Sequence, residues 1–217
     1  MYNSDGIRVR ATVDGGDIDY IIDPYNHTGY AQVFKEINTV TGANTVYIYG
    51  HRPIAQAVGM SDPNYFLRDG HDSVRQLSNS SGTVAENYHY DAYGNAHTFN
   101  PANAATKLLY TGQMYDNNMQ HYYLRARWYN PANGRFNRMD PFAGSNQDPQ
   151  SLHKYLYAHC NPINAIDPSG QWSLVEFVTT HAIHITLAYI GLNLLYNVGS
   201  HITADSIRKN HYEASGT

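Results

Sequence analysis

Cysteine is nearly absent from this chain of 217 residues. The lone Cys160 excludes an internal disulfide and leaves no cysteine-based metal set. Charge is sparse as well: Asp, Glu, Lys and Arg make up 15% of residues, and 14 basic against 18 acidic side chains give a net charge of −4. No basic stripe stands out, which excludes the electrostatic footprint of a nucleic-acid binder. The opening Met1–Arg10 (MYNSDGIRVR) lacks the apolar core of a classical signal peptide. It reads like the middle of a repeat, so the natural chain is expected to begin further upstream. Before Pro149 no helical apolar period of useful length occurs, which excludes a helical domain there. Phosphate-binding loops and nucleophile elbows are missing too. No cofactor is expected.

Tyrosine is what the chain has in excess, 20 copies against 6 Phe and 2 Trp. A tyrosine ring buries apolar area while its hydroxyl needs a partner, which suits half-wet sheet surfaces better than a dry helical core. Short runs rich in β-branched and aromatic residues follow one another: Ile18–Ile22, Thr45–Tyr49, Tyr65–Leu67 and Val84–Tyr90. Turn signals separate them, at Asp5-Gly6, Asp14-Gly15-Gly16, Thr41-Gly42, Asp69-Gly70, Ser81-Gly82 and Gly94-Asn95. Tyr47–Gln56, Tyr65–Gln76 and Tyr88–Asn95 share a plan in which aromatics end a strand, a turn follows and a new strand starts. The spacing predicts successive antiparallel hairpins from about Ile7 to Arg138.

The tail changes period. From Trp172, Leu174, Phe177, Val178, His181, Ile185, Ala188, Tyr189 and Leu192 fall at helical spacing. A helix over Ser173–Val198 is predicted, docked as a buried element or acting on a membrane; His181, His184 and Asn193 are costly in lipid. His181 and His184 are also one turn apart, but no carboxylate or thiol completes a metal set, so no metal is expected. Asn26-His27-Thr28 and Asn79-Ser80-Ser81 match glycosylation acceptors, relevant only in a eukaryotic secretory host.

Motifs in the second half carry a specific resemblance. Tyr88–Asn95 (YHYDAYGN) resembles the YD repeat. After it come Tyr110–Asp116 (YTGQMYD), Tyr122–Pro131 (YYLRARWYNP), Gly134-Arg135-Phe136, Asp140-Pro141, Tyr155–Tyr157, Asn161-Pro162 and Asp167-Pro168-Ser169-Gly170. In this order they resemble the core domain associated with Rhs repeats. The match runs loosely from Gly6 and tightly after Tyr88. It implies a mainly β fold: a curved antiparallel YD-repeat sheet, part of a β-cocoon shell, with a loop-rich plug and a helical C-terminal tail. The expected division is degenerate repeat strands over 1–87, the core over 88–170, and a variable tail over 171–217 that begins a toxin cargo.

The resemblance further implies a secreted or cell-surface toxin shell in interbacterial competition. Its expected partners are the upstream shell, the C-terminal cargo and a secretion-system or surface partner, with no nucleic acid. In relatives an aspartyl autoprotease cuts after the second Asp-Pro motif. Carried over by position, the aspartates are Asp140 and Asp167, and the cut falls near Gly170, Gln171 and Trp172. Two converging carboxylates would share a proton, one activating water, with cleavage fastest on the acidic side. The first motif, Asp140–Gly144, is one residue longer than the pattern, which predicts some displacement of Asp140. Asp-Pro is equally a good turn starter, so both aspartates also read as turn residues.

Within Tyr122–Tyr129, read as a strand, alternation places Tyr122, Leu124, Ala126 and Trp128 on one face. Tyr123, Arg125, Arg127 and Tyr129 then share the other, suited to guanidinium–aromatic stacking and carboxylate pairing. Asn130–Gly134 forms the following turn. Two other readings stay open: an adhesion or carbohydrate-binding module, and a membrane-active tail.

Overall fold

The computed structural model describes residues 1–13 and 16–171, so Trp172 and the predicted tail helix lie outside the described residues. Eight strands run as an uninterrupted antiparallel meander in sequence order: β1 (Arg10–Val13), β2 (Gly16–Asp23), β3 (Gln32–Asn38), β4 (Asn44–Tyr49), β5 (Pro53–Val58), β6 (Asn64–Arg68), β7 (Val74–Ser78) and β8 (Val84–Asn87). A two-stranded hairpin follows, β9 (His89–Tyr90) with β10 (Ala96–His97). A second meander of four strands closes the described region: β11 (Met114–Asp116), β12 (His121–Leu124), β13 (Arg127–Asn130) and β14 (Arg135–Phe136). Among the described residues the only helical elements are four short 3-10 turns.

One turn is used four times along the described chain, two of them within the first sheet. In Asn3–Ile7, Asp69–Ser73, Asn79–Thr83 and Asp91–Asn95, the first residue's N–H donates to the carbonyl of the fifth, and the fourth residue's N–H returns to the first carbonyl. The leading Asn or Asp side chain then accepts the N–H groups of the third and fifth residues. An Asx side chain thus replaces solvent for two backbone donors. The fourth position is left-handed every time: Gly6, Asp72, Gly82 and Gly94 all have φ between 69° and 89°. Glycine takes that conformation without penalty, and Asp is among the few residues that tolerate it. The Asp of the YD motif is therefore the residue that closes a hairpin.

The core-facing side of the sheet carries Tyr20 opposite Glu36, Tyr47 opposite Gln56 and Phe66 opposite Leu77, all buried. Two of its buried polar side chains are held by hydrogen bonds, though Gln56 Oε1 has no partner among the described residues. Glu36 accepts the Tyr47 hydroxyl at 2.6 Å and pairs with Lys107, and Gln56 donates to the Ala105 carbonyl at 2.6 Å. Bulges between Ile21 and Ile22, Ile48 and Tyr49, Leu67 and Arg68, and Leu77 and Ser78 accentuate its twist.

The second sheet seats on the last YD turn through tyrosine hydroxyls. Tyr110, Tyr129 and Tyr122 donate to the carbonyls of Ala92, Tyr93 and Gly94, at 2.8, 2.8 and 3.0 Å. Tyr122, Tyr129 and Tyr157 are fully buried, and Tyr129 stacks on Tyr157 at 4.1 Å. Here the rings fill the core, and three of the hydroxyls satisfy the carbonyls of one turn.

One expectation is overturned here. Tyr122–Tyr129 is not one strand; the chain reverses at Arg125-Ala126, pairing Tyr122 with Tyr129, Tyr123 with Trp128 and Leu124 with Arg127. Paired residues share a face, so Tyr122, Leu124, Arg127 and Tyr129 lie together, and Tyr123 and Trp128 lie opposite. The reversal rests on Arg125, left-handed at φ 57°, whose guanidinium donates to the carbonyls of Ala31 (2.6 Å) and Pro168 (2.5 Å). The Asn130–Gly134 turn forms as read, with Gly134 at φ 67° and its N–H on the Asn130 carbonyl.

Candidate functional site

Arg127 lies at the start of β13, just past the reversal, with its side chain 2% exposed. Its Nη2 is 2.7 Å from Asp140 Oδ2 and 3.3 Å from Asp167 Oδ2. Both carboxylates therefore meet one nitrogen, and their oxygens can lie no further apart than the sum of those distances. Nη1 donates to the Lys154 carbonyl at 3.1 Å, Nε donates to the Gly170 carbonyl, and the cation sits 3.6 Å over the Phe136 ring. Burial pushes the Arg127 guanidinium down from its ordinary value, opposed by Asp167 and Asp140. The shared-proton picture did not place this cation between the two acids. It compensates carboxylate charge where water is scarce.

Asp140 is anchored from behind. Its N–H donates to the Lys154 carbonyl at 2.9 Å, and its Oδ1 accepts the Phe142 N–H at 2.9 Å. Residues 154–156 run alongside β14, with Phe136 N–H on the Tyr155 carbonyl and Arg135 bridged to Leu156. The longer first motif belongs to a loop between these two arms. Gly144, at φ 86°, packs there against Ser151, and Ser145 N–H donates to Ser151 Oγ at 2.7 Å. Because the base of the loop is hydrogen-bonded, the added length is absorbed beyond Asp140, which stays in contact with Arg127.

Asp167 organises the second motif. Its Oδ1 accepts the N–H groups of Gly170 (2.8 Å) and Gln171 (3.2 Å) and the Ser169 hydroxyl (3.2 Å). The Gly170–Gln171 peptide is consequently held at both ends: Arg127 Nε on its carbonyl oxygen and Asp167 on its N–H. Gly170, at φ 74°, fits because a Cβ there would stand 2.3 Å from the Leu124 carbonyl oxygen.

The remaining core-motif residues divide between packing and site. Tyr122 and Tyr129 pack on the YD turn, while Arg125 lies 4.3 Å over the Tyr30 ring and donates to Gln113 Oε1 at 2.6 Å. Arg125 too is pushed down by burial. Gly134 is closed over by the Tyr93 ring, Arg135 is exposed, and Phe136 backs Arg127. Tyr123 faces a second buried cation missed in the sequence, Arg8. That guanidinium sits within 5.0 Å of the Tyr20, Tyr123 and Trp128 rings and 2.6 Å from Asp116. An isolated arginine among turn residues gives no signal by itself.

A hairpin meander with one repeated Asx turn, closed by a tyrosine-rich second sheet, is the architecture of a YD-repeat shell. The chain belongs to the Rhs/YD-repeat shell family, matching the Teneurin YD-shell family model over residues 18–163. It is 30% identical over 174 residues to the tRNA nuclease WapA of Bacillus subtilis (strain 168), covering 79% of this chain and 7% of that protein. With Salivary gland surface protein 1 of Aedes aegypti it shares 35% identity over 162 residues, covering 72% of this chain and 4% of that one. Among solved structures, a chain of the TcdB2-TccC3-Cdc42 crystal structure superposes with a TM-score of 0.57 at 19% identity, over 78% of this chain and 9% of that chain. The chain thus spans less than a tenth of each of these relatives.

Proposed function

We propose that this segment forms the end wall and plug of a secreted toxin shell, and that it cuts itself once at Gly170–Gln171 to free the C-terminal segment. The observation carrying this reading is the double grip on that peptide by Arg127 and Asp167, with Asp140 on the same guanidinium. Hydrolysis adds water to the Gly170 carbonyl carbon, with Asp140 taking a proton from the water. Arg127 Nε stabilises the oxyanion that develops on the oxygen it already touches. As the carbon becomes tetrahedral, the Gln171 nitrogen gains a lone pair beside the Asp167 carboxyl group. Asp167 in its acid form protonates it, the C–N bond breaks, and a Gly170 carboxylate and a Gln171 amine result. The product is held where it forms, which limits the reaction to one turnover.

The upstream shell and the released C-terminal segment are then the partners, and the setting is secreted or cell-surface. Intact-mass measurement on the expressed chain tests the reading. Products ending at Gly170 and starting at Gln171 are expected; a chain that stays whole through prolonged incubation, acidic buffers included, would leave the aspartates as turn residues in a purely structural wall.

A further inference from the structure

Arg125 brings a cation between the two sheets with no acid paired to it. Its Nε donates to the Ala31 carbonyl at 2.6 Å, and its Nη1 donates to Gln113 Oε1 at 2.6 Å and to the Pro168 carbonyl at 2.5 Å. All three acceptors are neutral oxygens. Among the described residues Nη2 has no hydrogen-bond partner and no carboxylate forms an ion pair with the guanidinium. The other two buried arginines differ: Arg127 meets Asp140 and Asp167, and Arg8 meets Asp116.

Gln32, beside Ala31 at the start of β3, is a second unpaired group. It is 6% exposed, and its side-chain amide makes no hydrogen bond among the described residues. Gln32 and Arg125 line one cavity of about 40 Å³, which lies between β3 and β4 on one side and Gln113 and Met114 on the other. One water needs about 10–15 Å³ of such space, so the cavity takes about three or four heavy atoms and excludes a sugar or a nucleotide. The Tyr49 hydroxyl proton is already committed to the Val33 carbonyl at 2.9 Å, and Ile22, Leu108 and Met114 supply apolar lining. Asp72 also lines the cavity, but Arg52 and Arg68 each hold it at 2.7 Å, so it does not neutralise Arg125.

We infer that this cavity binds a small free carboxylate of the size of formate or acetate. Arg125 Nη2 supplies a charge-assisted hydrogen bond to one carboxylate oxygen, and the Gln32 amide donates to the carboxylate as well. A buried cation without an anion and a buried amide without a partner are both costly, and one ligand relieves both. Water could satisfy the amide but would leave the guanidinium charge uncompensated. The apolar lining suits the single methyl group of acetate, and the volume leaves no room for a longer chain. This inference does not depend on any cleavage at Gly170.

The test uses the full chain with the sodium salts of formate, acetate, butyrate and hexanoate, at ionic strength held constant with sodium gluconate. A ligand of about four heavy atoms binds no tighter than roughly 0.1 mM, so each acid is titrated to about 20 mM. At about ten times its dissociation constant, acetate should raise the melting temperature by about 3–6 °C. Formate should act in the same way, whereas butyrate and hexanoate should have no effect. In proton–nitrogen spectra the Gln32 side-chain amide signals should shift saturably with the same midpoint. Gln32→Leu identifies those signals by their disappearance and should lose the temperature response. Arg125→Met should lose it too. Because Arg125 also holds Ala31 and Pro168, the chain-length series on the parent decides the matter even where that variant folds poorly. No response to formate or acetate, an equal response to every acid, or a full response in Gln32→Leu would overturn the inference.

Discussion

Asp140 reaches Arg127 at 2.7 Å although the two stand on opposite arms of the structure, one beyond β14 and the other at the head of β13. The contact turns a pair of turn-forming aspartates into a charge cluster, since Asp167 meets the same guanidinium nitrogen. A residue that holds both acids and also touches the Gly170 carbonyl links chemistry to stability, and substitutions separate the two.

Asp140→Asn and Asp167→Asn are each expected to abolish cleavage, because Asn can neither take nor give the carboxyl proton. Asn at 167 keeps an acceptor for the Gly170 and Gln171 N–H groups, so that variant should remain folded and whole. Arg127→Lys should slow cleavage by roughly 10²–10³-fold, the usual effect of losing one oxyanion donor. Intact mass against time, with thermal melting alongside, checks all three. Arg127→Met, which leaves two acids without their cation, should lower stability by about 3–5 kcal/mol.

Two glycines of matching hairpin turns should respond in opposite ways. Gly94→Ala forces a side chain into a left-handed position with its Cβ 2.5 Å from the Tyr110 ring, and a loss of at least about 2 kcal/mol is expected. Gly70 is the second residue of its turn, has ordinary φ and open space around it, so Gly70→Ala should be neutral or gain up to about 1 kcal/mol. Urea denaturation of both variants, with unchanged slopes, decides the point.

Acid should weaken the fold through His71. Burial pushes its imidazole below the ordinary value of 6.5, against the upward pull of Asp69 and Asp72. The unfolded chain then takes up the proton first, so this contribution is complete above about pH 6.5 and is lost progressively as pH falls below it. His71→Gln should flatten that part of the profile. Urea midpoints measured at about pH 7.5 and about pH 5.5 should differ less in the variant than in the parent.

Arg8 ties the N-terminal segment to the second sheet through Asp116 and the Tyr123 and Trp128 rings, and to β2 through the Tyr20 ring. Arg8→Met should cost about 3–5 kcal/mol by stranding Asp116, and Asp116→Asn in the same chain should restore part of it. Chemical denaturation of the single and double variants measures the coupling; simple additivity would show that the ion pair contributes little.

The turns were readable in the sequence because a left-handed position and an Asx closure restrict the residues allowed. Asp5-Gly6, Ser81-Gly82 and Gly94-Asn95 therefore mark hairpins without help from the rest of the chain. The reversal at Arg125-Ala126 carries no such mark. It is imposed by hydrogen bonds to Ala31 and Pro168, nearly a hundred and over forty residues away in sequence. Strand β3 was equally quiet, since Glu36 puts a polar side chain on the core-facing side and breaks the apolar alternation. At the site, the aspartates were legible as motif residues, but Arg127 as their common partner required the corrected pairing of β12 with β13.

The Asx turn also sets where this architecture can grow. The copies at Asn3–Ile7 and Asn79–Thr83 are closed by their own Asn side chains, whereas the copy at Asp69–Ser73 also takes the Thr111 N–H on Ser73 Oγ and the Arg75 guanidinium on Asp69. The copy at Asp91–Asn95 is different: its carbonyls are occupied by Tyr110, Tyr122 and Tyr129, and Asn95 reaches the Pro131 carbonyl. Lengthening at that point would unseat the whole second sheet. Changes of length are therefore least tolerated at Asp91–Asn95, where one turn shares four hydrogen bonds with the second half of the chain.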